Sequence, residues 1–316
     1  METPSRNAPP MTTRTRLTWA LRWLVSVALL AWILTRPELG QLGSEVPHMN
    51  VLWLLGGLLC AGLSLALGAW RWQACLRALG MDIALPRLFK VTLTATAAGC
   101  ISFGALGADL TKVVLAGRHL PGRQGGILSS LAMDHVSALP CVVVMVLAAT
   151  LAHGTLPMLN MTGVWLALGV AALVAVAMAA LGWKFKALHH GMMRMLSDRA
   201  TWCGLLRAVW RSVPMWMAYC GIYYCSARAF GVVVPAAGFA GVIAIADAVA
   251  SLPVTIAGLG VREQAFRVLL GNWYDVPAAA AVAMSLTGFS LSLVWAAVGA
   301  LSIGKGSVKS EKLALS

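Results

Sequence analysis

The sequence predicts an all-α polytopic membrane bundle, with six full crossings plus two re-entrant helical hairpins arranged as an inverted repeat. Three observations carry this. Of 316 residues, 59% are hydrophobic and only 11% charged, with a mean hydropathy of +0.80; soluble domains carry roughly a quarter charged residues. The apolar residues gather into eight runs long enough, or nearly so, to enter a bilayer. The charged residues lie mostly between those runs, 24 Lys and Arg against 11 Asp and Glu, a net charge of +13. Basic residues between apolar runs mark cytoplasmic loops near anionic lipid. The surplus therefore points to membrane lipids as partners and not to nucleic acid.

Each element follows in chain order. Residues 1–16 are polar, with Pro4, Pro9 and Pro10, and read as a cytoplasmic tail. The run Leu17–Leu34 has Arg14 and Arg16 in front but no small-residue cleavage pattern behind it, so it reads as a retained first span. Its length reaches roughly 27 Å at 1.5 Å per residue. Further runs follow at about 51–70, 88–103, 125–151, 162–183, 212–230, 236–256 and 277–303. Many tryptophans, Trp53, Trp70, Trp165, Trp183 and Trp216 among them, sit near the ends of these runs like an interfacial belt. The block 184–211 has six basic residues and one acid; a basic cytoplasmic connector and an interfacial amphipathic helix both fit it. One domain spans 17–303, with halves at about 17–151 and 162–303, and 304–316 forms a second tail.

Loop charge sets the topology. If all eight runs crossed, the basic block 184–211 would lie outside, against the positive-inside bias. If instead 88–119 enters from the inside and returns, and 236–270 does so from the outside, every loop obeys it. Arg71, Arg77, Arg87 and Lys90 are then inside, as are Lys112, Arg118, Arg123, the block 184–211 and both termini. A multi-pass inner-membrane protein with cytoplasmic ends results.

The hairpins carry an internal repeat, ISFGALG at 101–107 and VTIAGLG at 254–260. Gly104, Gly107, Gly258 and Gly260 permit turns that other residues resist, and Pro253 disfavours helix at Leu252. New helices are expected from about Ala108 and Val261. Their first N–H groups are unpaired and carry the positive end of the helix dipole, which suits an anion such as a lipid phosphate. A packed hairpin without a ligand fits the same pattern.

Ionisable residues inside a bilayer need a partner or a function. The candidates are Asp109, Lys112, Asp134, Asp247, Arg262 and Glu263. Arg262 is the best phosphate ligand, because a guanidinium grips two oxygens at once. Asp134, beside His135, could relay protons, hold a headgroup amine or pair with Lys112. Asp247 has no cation near it in sequence. Aligning the repeats puts Asp109 and Arg262 at equivalent positions, so the two are expected to meet at the hairpin tips and form a gate, with Lys112 and Glu263 as a neighbouring pair. The seven cysteines show no CxxC spacing and the histidines no metal-ligand spacing, so neither a metal nor a cofactor is expected.

These residues resemble a known family, the lysylphosphatidylglycerol synthase transmembrane region, also called flippase-like integral membrane proteins. The resemblance rests on Arg71-Trp72, FGALGADLTK, the span with Asp134, and above all LPVTIAGLGVRE, which is similar to the family's L-P-x-x-x-x-G-L-G-x-R-E. The first glycine motif lacks the family's usual proline, and His135 stands where Arg is frequent. The resemblance implies movement of a phospholipid or polyprenyl-linked lipid between leaflets. Aminoacyl transfer in the two-domain synthases belongs to a soluble domain, for which no room is expected after Ser316.

The reading is thus a non-enzymatic flippase or scramblase for a lipid with an anionic headgroup. An intramembrane enzyme acting on a lipid headgroup, using Asp134 with His135 or Asp247, is the alternative from another class; an accessory membrane subunit is the third. Lipid identity, direction, energy source and oligomeric state are not legible in the residues.

Overall fold

The computed structural model describes residues 49–102, 104–152, 198–251 and 258–314. The expected spans at 17–34 and 162–183, most of the basic block 184–211, and Pro253 lie outside them. The described residues are helical with short connections: α1 Val51–Ala78, α2 Leu85–Ile101, α3 Ala105–Gly117, α4 Gln124–Ala152, α5 Arg199–Ala229, α6 Ala236–Ala250, α7 Val261–Tyr274 and α8 Ala278–Ala314.

Local chemistry sets the ends. Asn50 accepts from the Leu52 N–H at 3.0 Å and caps α1. Gly80, at φ 69°, closes it, and the Gly80 and Met81 N–H groups return to the Arg77 and Leu76 carbonyls. Pro86 sits in the first turn of α2, where its missing N–H costs nothing. Asp198 caps α5 by accepting from the Ala200 N–H at 3.2 Å. Pro140 and Pro214 lie inside α4 and α5, where each leaves one upstream carbonyl without its intrahelical donor.

Three described helices are long and apolar enough to cross a bilayer: Val51–Ala78, Gln124–Ala149 and Ala278–Leu301. α5 has the length, 31 residues, but carries Arg199, Arg207, Arg211 and Arg228. It also alters one expectation: residues 199–211 begin this helix and do not form a separate interfacial one. Likewise 304–314 continue α8 and do not leave as a separate tail. The exposed faces are apolar. Leu52, Leu55, Leu59 and Leu63 on α1, and Leu139, Val143, Leu147 and Leu151 on α4, recur at three- or four-residue spacing. Water makes such stripes a liability; hydrocarbon makes them a lipid-facing surface.

α1 and α5 form the central pair and run antiparallel. Arg228 lies over the Trp53 ring, Gly57 faces Cys225, Gly221 faces Cys60, Arg211 lies over Trp70 and Gly204 faces Ala78. Small residues at these positions let the helix axes approach, since apolar burial does not drive association in lipid. Around this pair the packing is reciprocal. α2 turns back into α3, and α6 into α7; α2 packs on α8 while α6 packs on α4; α1 touches α4 and α8, and α5 touches α8 and α4. Exchanging α1–α4 for α5–α8 maps each of these contacts onto another. Two cores result. Trp72, Leu76, Leu88, Ile127 and Met133 fill the first half, and Tyr223, Phe239, Phe266 and Met284 the second.

Candidate functional site

The charged residues of the interior form two clusters, one in each half. In the first, Arg71 on α1 forks onto Asp134 on α4, Nε to Oδ1 at 2.7 Å and Nη2 to Oδ2 at 2.8 Å. Arg71 is 8% and Asp134 4% exposed. Next to Arg71, the Trp72 indole donates to the Ser130 hydroxyl at 3.0 Å. Lys112 on α3 stands 5.7 Å from the centre of the Trp72 ring, a cation–π distance. Lys112 also donates to Asp109 Oδ1 at 3.2 Å, and His135 Nε2 meets Asp109 Oδ2 at 2.7 Å.

The helix starts here one turn early. Gly104, at φ 61°, supplies the turn, and the helix-forming Ala105 and Leu106 follow it directly, so α3 begins at Ala105 and not at about Ala108. Gly107 therefore lies in the first turn of α3, against Ser102, where a side chain would collide. Asp109 stands in the second turn, past the unpaired N–H groups. It is held by side chains and not by the helix end.

In the second cluster the expected geometry holds better. Gly258 and Gly260 have φ of 74° and 86°, and α7 begins at Val261. Arg262 is in its first turn. Its Nη2 donates to Asp247 Oδ1 at 3.4 Å, a long contact, and its guanidinium lies 5.7 Å from the Phe289 ring centre. Tyr219 donates to the same Asp247 oxygen at 2.7 Å. Glu263 is fully buried, with Oε2 accepting from the Gly260 N–H at 2.6 Å and Oε1 near the Ser285 hydroxyl at 3.4 Å. Glu263 thus closes the GLG turn through Oε2. Among the described residues, Arg262 Nε is buried with no hydrogen-bond acceptor, as is Arg71 Nη1 in the first cluster.

Several expectations need correction. The gate pair does not form: Asp109 takes Lys112 and His135, whereas Arg262 takes Asp247. Lys112 and Glu263 do not pair either. The physical reason is reach, since each charge finds a partner inside its own half. Asp134 pairs with Arg71 and not with Lys112. Arg71 is no loop cation but a buried helix residue. Asp247 has a cation after all, brought by the fold from 15 residues away. The sequence reading also missed Tyr219, for which an isolated tyrosine in an apolar run gives no signal.

An apolar groove of about 350 Å³ runs between α6 and α7 beside this cluster, lined by residues that include Ile245, Val249, Gly260, Val261 and Val268. Among the described residues no group of His, Cys, Asp or Glu is placed to hold a metal ion. The sequence pattern of the family described as Lysylphosphatidylglycerol synthase TM region matches residues 19–299. The chain belongs to this family. No curated protein matches it. As a member of the lysylphosphatidylglycerol synthase TM region family it is a multi-pass membrane protein, and its function concerns membrane lipids. Arg71 and Asp134 lie on two of the helices long and apolar enough to cross a bilayer, and there a buried charge needs a partner such as this fork provides.

Proposed function

We propose that this protein moves a lipid with an anionic headgroup, a phospholipid or a polyprenyl-linked lipid, between the leaflets of the inner membrane, without altering it chemically. The observation that carries this reading is the state of Arg262. Arg71 spends two nitrogens on a close fork with Asp134. Among the described residues Arg262 has one ion pair, at 3.4 Å to an Asp247 oxygen that Tyr219 also holds, and a buried Nε without an acceptor; Arg71 leaves its Nη1 unmatched too, but its carboxylate is gripped in the close fork. A buried donor left unpaired costs roughly 1–3 kcal/mol. A phosphate oxygen arriving at the α7 start would satisfy it, with the helix end adding to the attraction. The apolar groove beside it is suited to an acyl chain.

In this reading α2–α3 and α6–α7 are re-entrant hairpins. Their helices have 17, 13, 15 and 14 residues, about 20–25 Å each at 1.5 Å per residue, short of a ~30 Å hydrocarbon core. The reciprocal packing and the antiparallel α1–α5 pair support an inverted repeat, in which equivalent helices run in opposite directions. With the two outer spans the chain then makes six crossings, and both termini are cytoplasmic.

The test is transfer of fluorescent phosphatidylglycerol across vesicles reconstituted with the full chain, read by quenching of the outer leaflet. The expected result is transfer by the native chain, loss in Arg262→Ala and impairment in Arg262→Lys, which cannot fork. Normal transfer by Arg262→Ala removes that residue from the path. An intramembrane enzyme is the second reading, and the 2.7 Å contact between Asp109 and His135 favours it. Mass spectrometry of the same vesicles separates the two: a chemically changed lipid supports the enzyme.

A further inference from the structure

We propose that His135 couples lipid movement to protons, one proton travelling with each anionic headgroup; this rests on the flippase reading above. Asp134 and His135 are consecutive on α4, yet they have opposite surroundings. Asp134 points inward and is closed off by the Arg71 fork. His135 leaves 55% of its side chain exposed, with Nε2 against Asp109. An ionisable residue in a helix long and apolar enough to span the membrane, in contact with a carboxylate and only part buried, has the chemistry of a proton-carrying group.

The charges can be counted from every helix packed on α4. From α3 come Asp109, an anion, and Lys112, a cation, in contact with each other. From α1 comes Arg71, cancelled by Asp134 of α4 itself. α5 presents the Ser212 hydroxyl to the Ser137 carbonyl, and its Arg211 is turned to the Trp70 carbonyl. The one titratable group of α6, Asp247, is turned to Tyr219 and Arg262. The cluster around His135 is therefore neutral when the imidazole is neutral. Because a carboxylate accepts, Nε2 carries the hydrogen donated to Asp109. A proton arriving at Nδ1 makes an imidazolium and gives the cluster one positive charge. In hydrocarbon that charge is costly alone, and a headgroup with one negative charge held at Arg262 leaves protein and lipid together neutral. Proton and lipid thus enter together, and release of the lipid favours release of the proton from Nδ1 on the far side. No bond other than N–H is made or broken, and the loaded step carries no net charge.

The experiment uses the full chain in phosphatidylcholine vesicles containing fluorescent phosphatidylglycerol, with a pH gradient or a potassium-diffusion potential imposed separately. For one proton per lipid, a gradient of one pH unit sustains up to about a tenfold leaflet ratio of the labelled lipid, since tenfold corresponds to 1.4 kcal/mol. The electrical potential alone sustains none, because the step is neutral. A protonophore abolishes the ratio. His135→Gln keeps an amide donor for Asp109 but takes up no proton, so it is expected to equilibrate lipid without accumulating it. Equal leaflet distribution in the native chain under a pH gradient, with transfer still occurring, overturns the coupling and leaves the flippase reading standing. Accumulation by His135→Gln also overturns it. Absence of any transfer under all conditions overturns both.

Discussion

Arg71 and Asp134 stand 63 residues apart and meet through two parallel hydrogen bonds of 2.7 and 2.8 Å, with both side chains nearly sealed from solvent. This fork ties α1 to α4 and belongs to the scaffold of the first half. Arg71→Ala or Asp134→Ala leaves a buried charge unmatched, so each is expected to destabilise the protein by about 3–5 kcal/mol. The apolar double variant Arg71→Met with Asp134→Leu is expected to regain most of that loss. Thermal unfolding in detergent, followed by tryptophan fluorescence, measures all three. Equal losses in the single and double variants would show that the pair does not act as a unit.

A different outcome is expected at Asp247. Replacing it with Asn retains an acceptor for Tyr219 and removes the charge that holds Arg262. Arg262 is then freer to meet an anion. A charge-assisted hydrogen bond is worth roughly 1.5–3 kcal/mol, so affinity for phosphatidylglycerol in detergent is expected to rise about tenfold or more. Native mass spectrometry with graded lipid reads it. Unchanged binding would mean that Asp247 does not compete with the headgroup.

Beyond the glycines of the α1–α5 seam, two more sit where one half leans on the other. Gly299 of α8 lies against the Leu93 backbone of α2, and Gly241 of α6 against Ala149 and the Met145 carbonyl of α4. An added methyl meets backbone in both cases, so Gly299→Ala and Gly241→Ala are each expected to cost about 1–3 kcal/mol. Gly68 is the control: a Cβ there meets nothing within 4 Å. Gly68→Ala is expected to leave stability unchanged or raise it by up to about 1 kcal/mol through helix propensity.

Topology can be read with single cysteines in a cysteine-free background. His119, exposed in the α3–α4 connection, and Asp275, exposed in the α7–α8 connection, are suitable sites. Six crossings with two re-entrant hairpins place His119→Cys on the cytoplasmic side and Asp275→Cys on the opposite one. Labelling of both by an impermeant reagent from the same side would sink that arrangement.

The helices and their interruptions were legible in the residues because local rules govern them. Apolar runs and the glycines at 104, 258 and 260 act over a few neighbours; the caps at Asn50 and Asp198 act as locally but were not read from the sequence. The α7 start at Val261 follows from GLG, whereas the α3 start shifted by one turn because Ala105 and Leu106 are free to be helical once Gly104 has turned. Charge partners were not legible. Arg71 reads as a loop cation until α1 is seen to run on to Ala78, and Asp247 reads as isolated until α7 folds back beside it. The alignment that set Asp109 opposite Arg262 assumed that equivalent residues of the two repeats face each other across the axis. The fold is symmetric in its helix contacts, while each half neutralises its charges separately.

The reciprocal packing of α2 on α8 and α4 on α6 has a consequence for biogenesis. During synthesis the first half emerges from the ribosome before α6 and α8 exist. Its own contacts, the Arg71–Asp134 fork included, can close at once, but the faces of α2 and α4 that receive those later helices wait uncovered in the bilayer. Gly299, the residue that seats α8 on α2, is made some two hundred residues after the Leu93 backbone it meets. The first half is therefore expected to stay incompletely packed until α6 and α8 are in place.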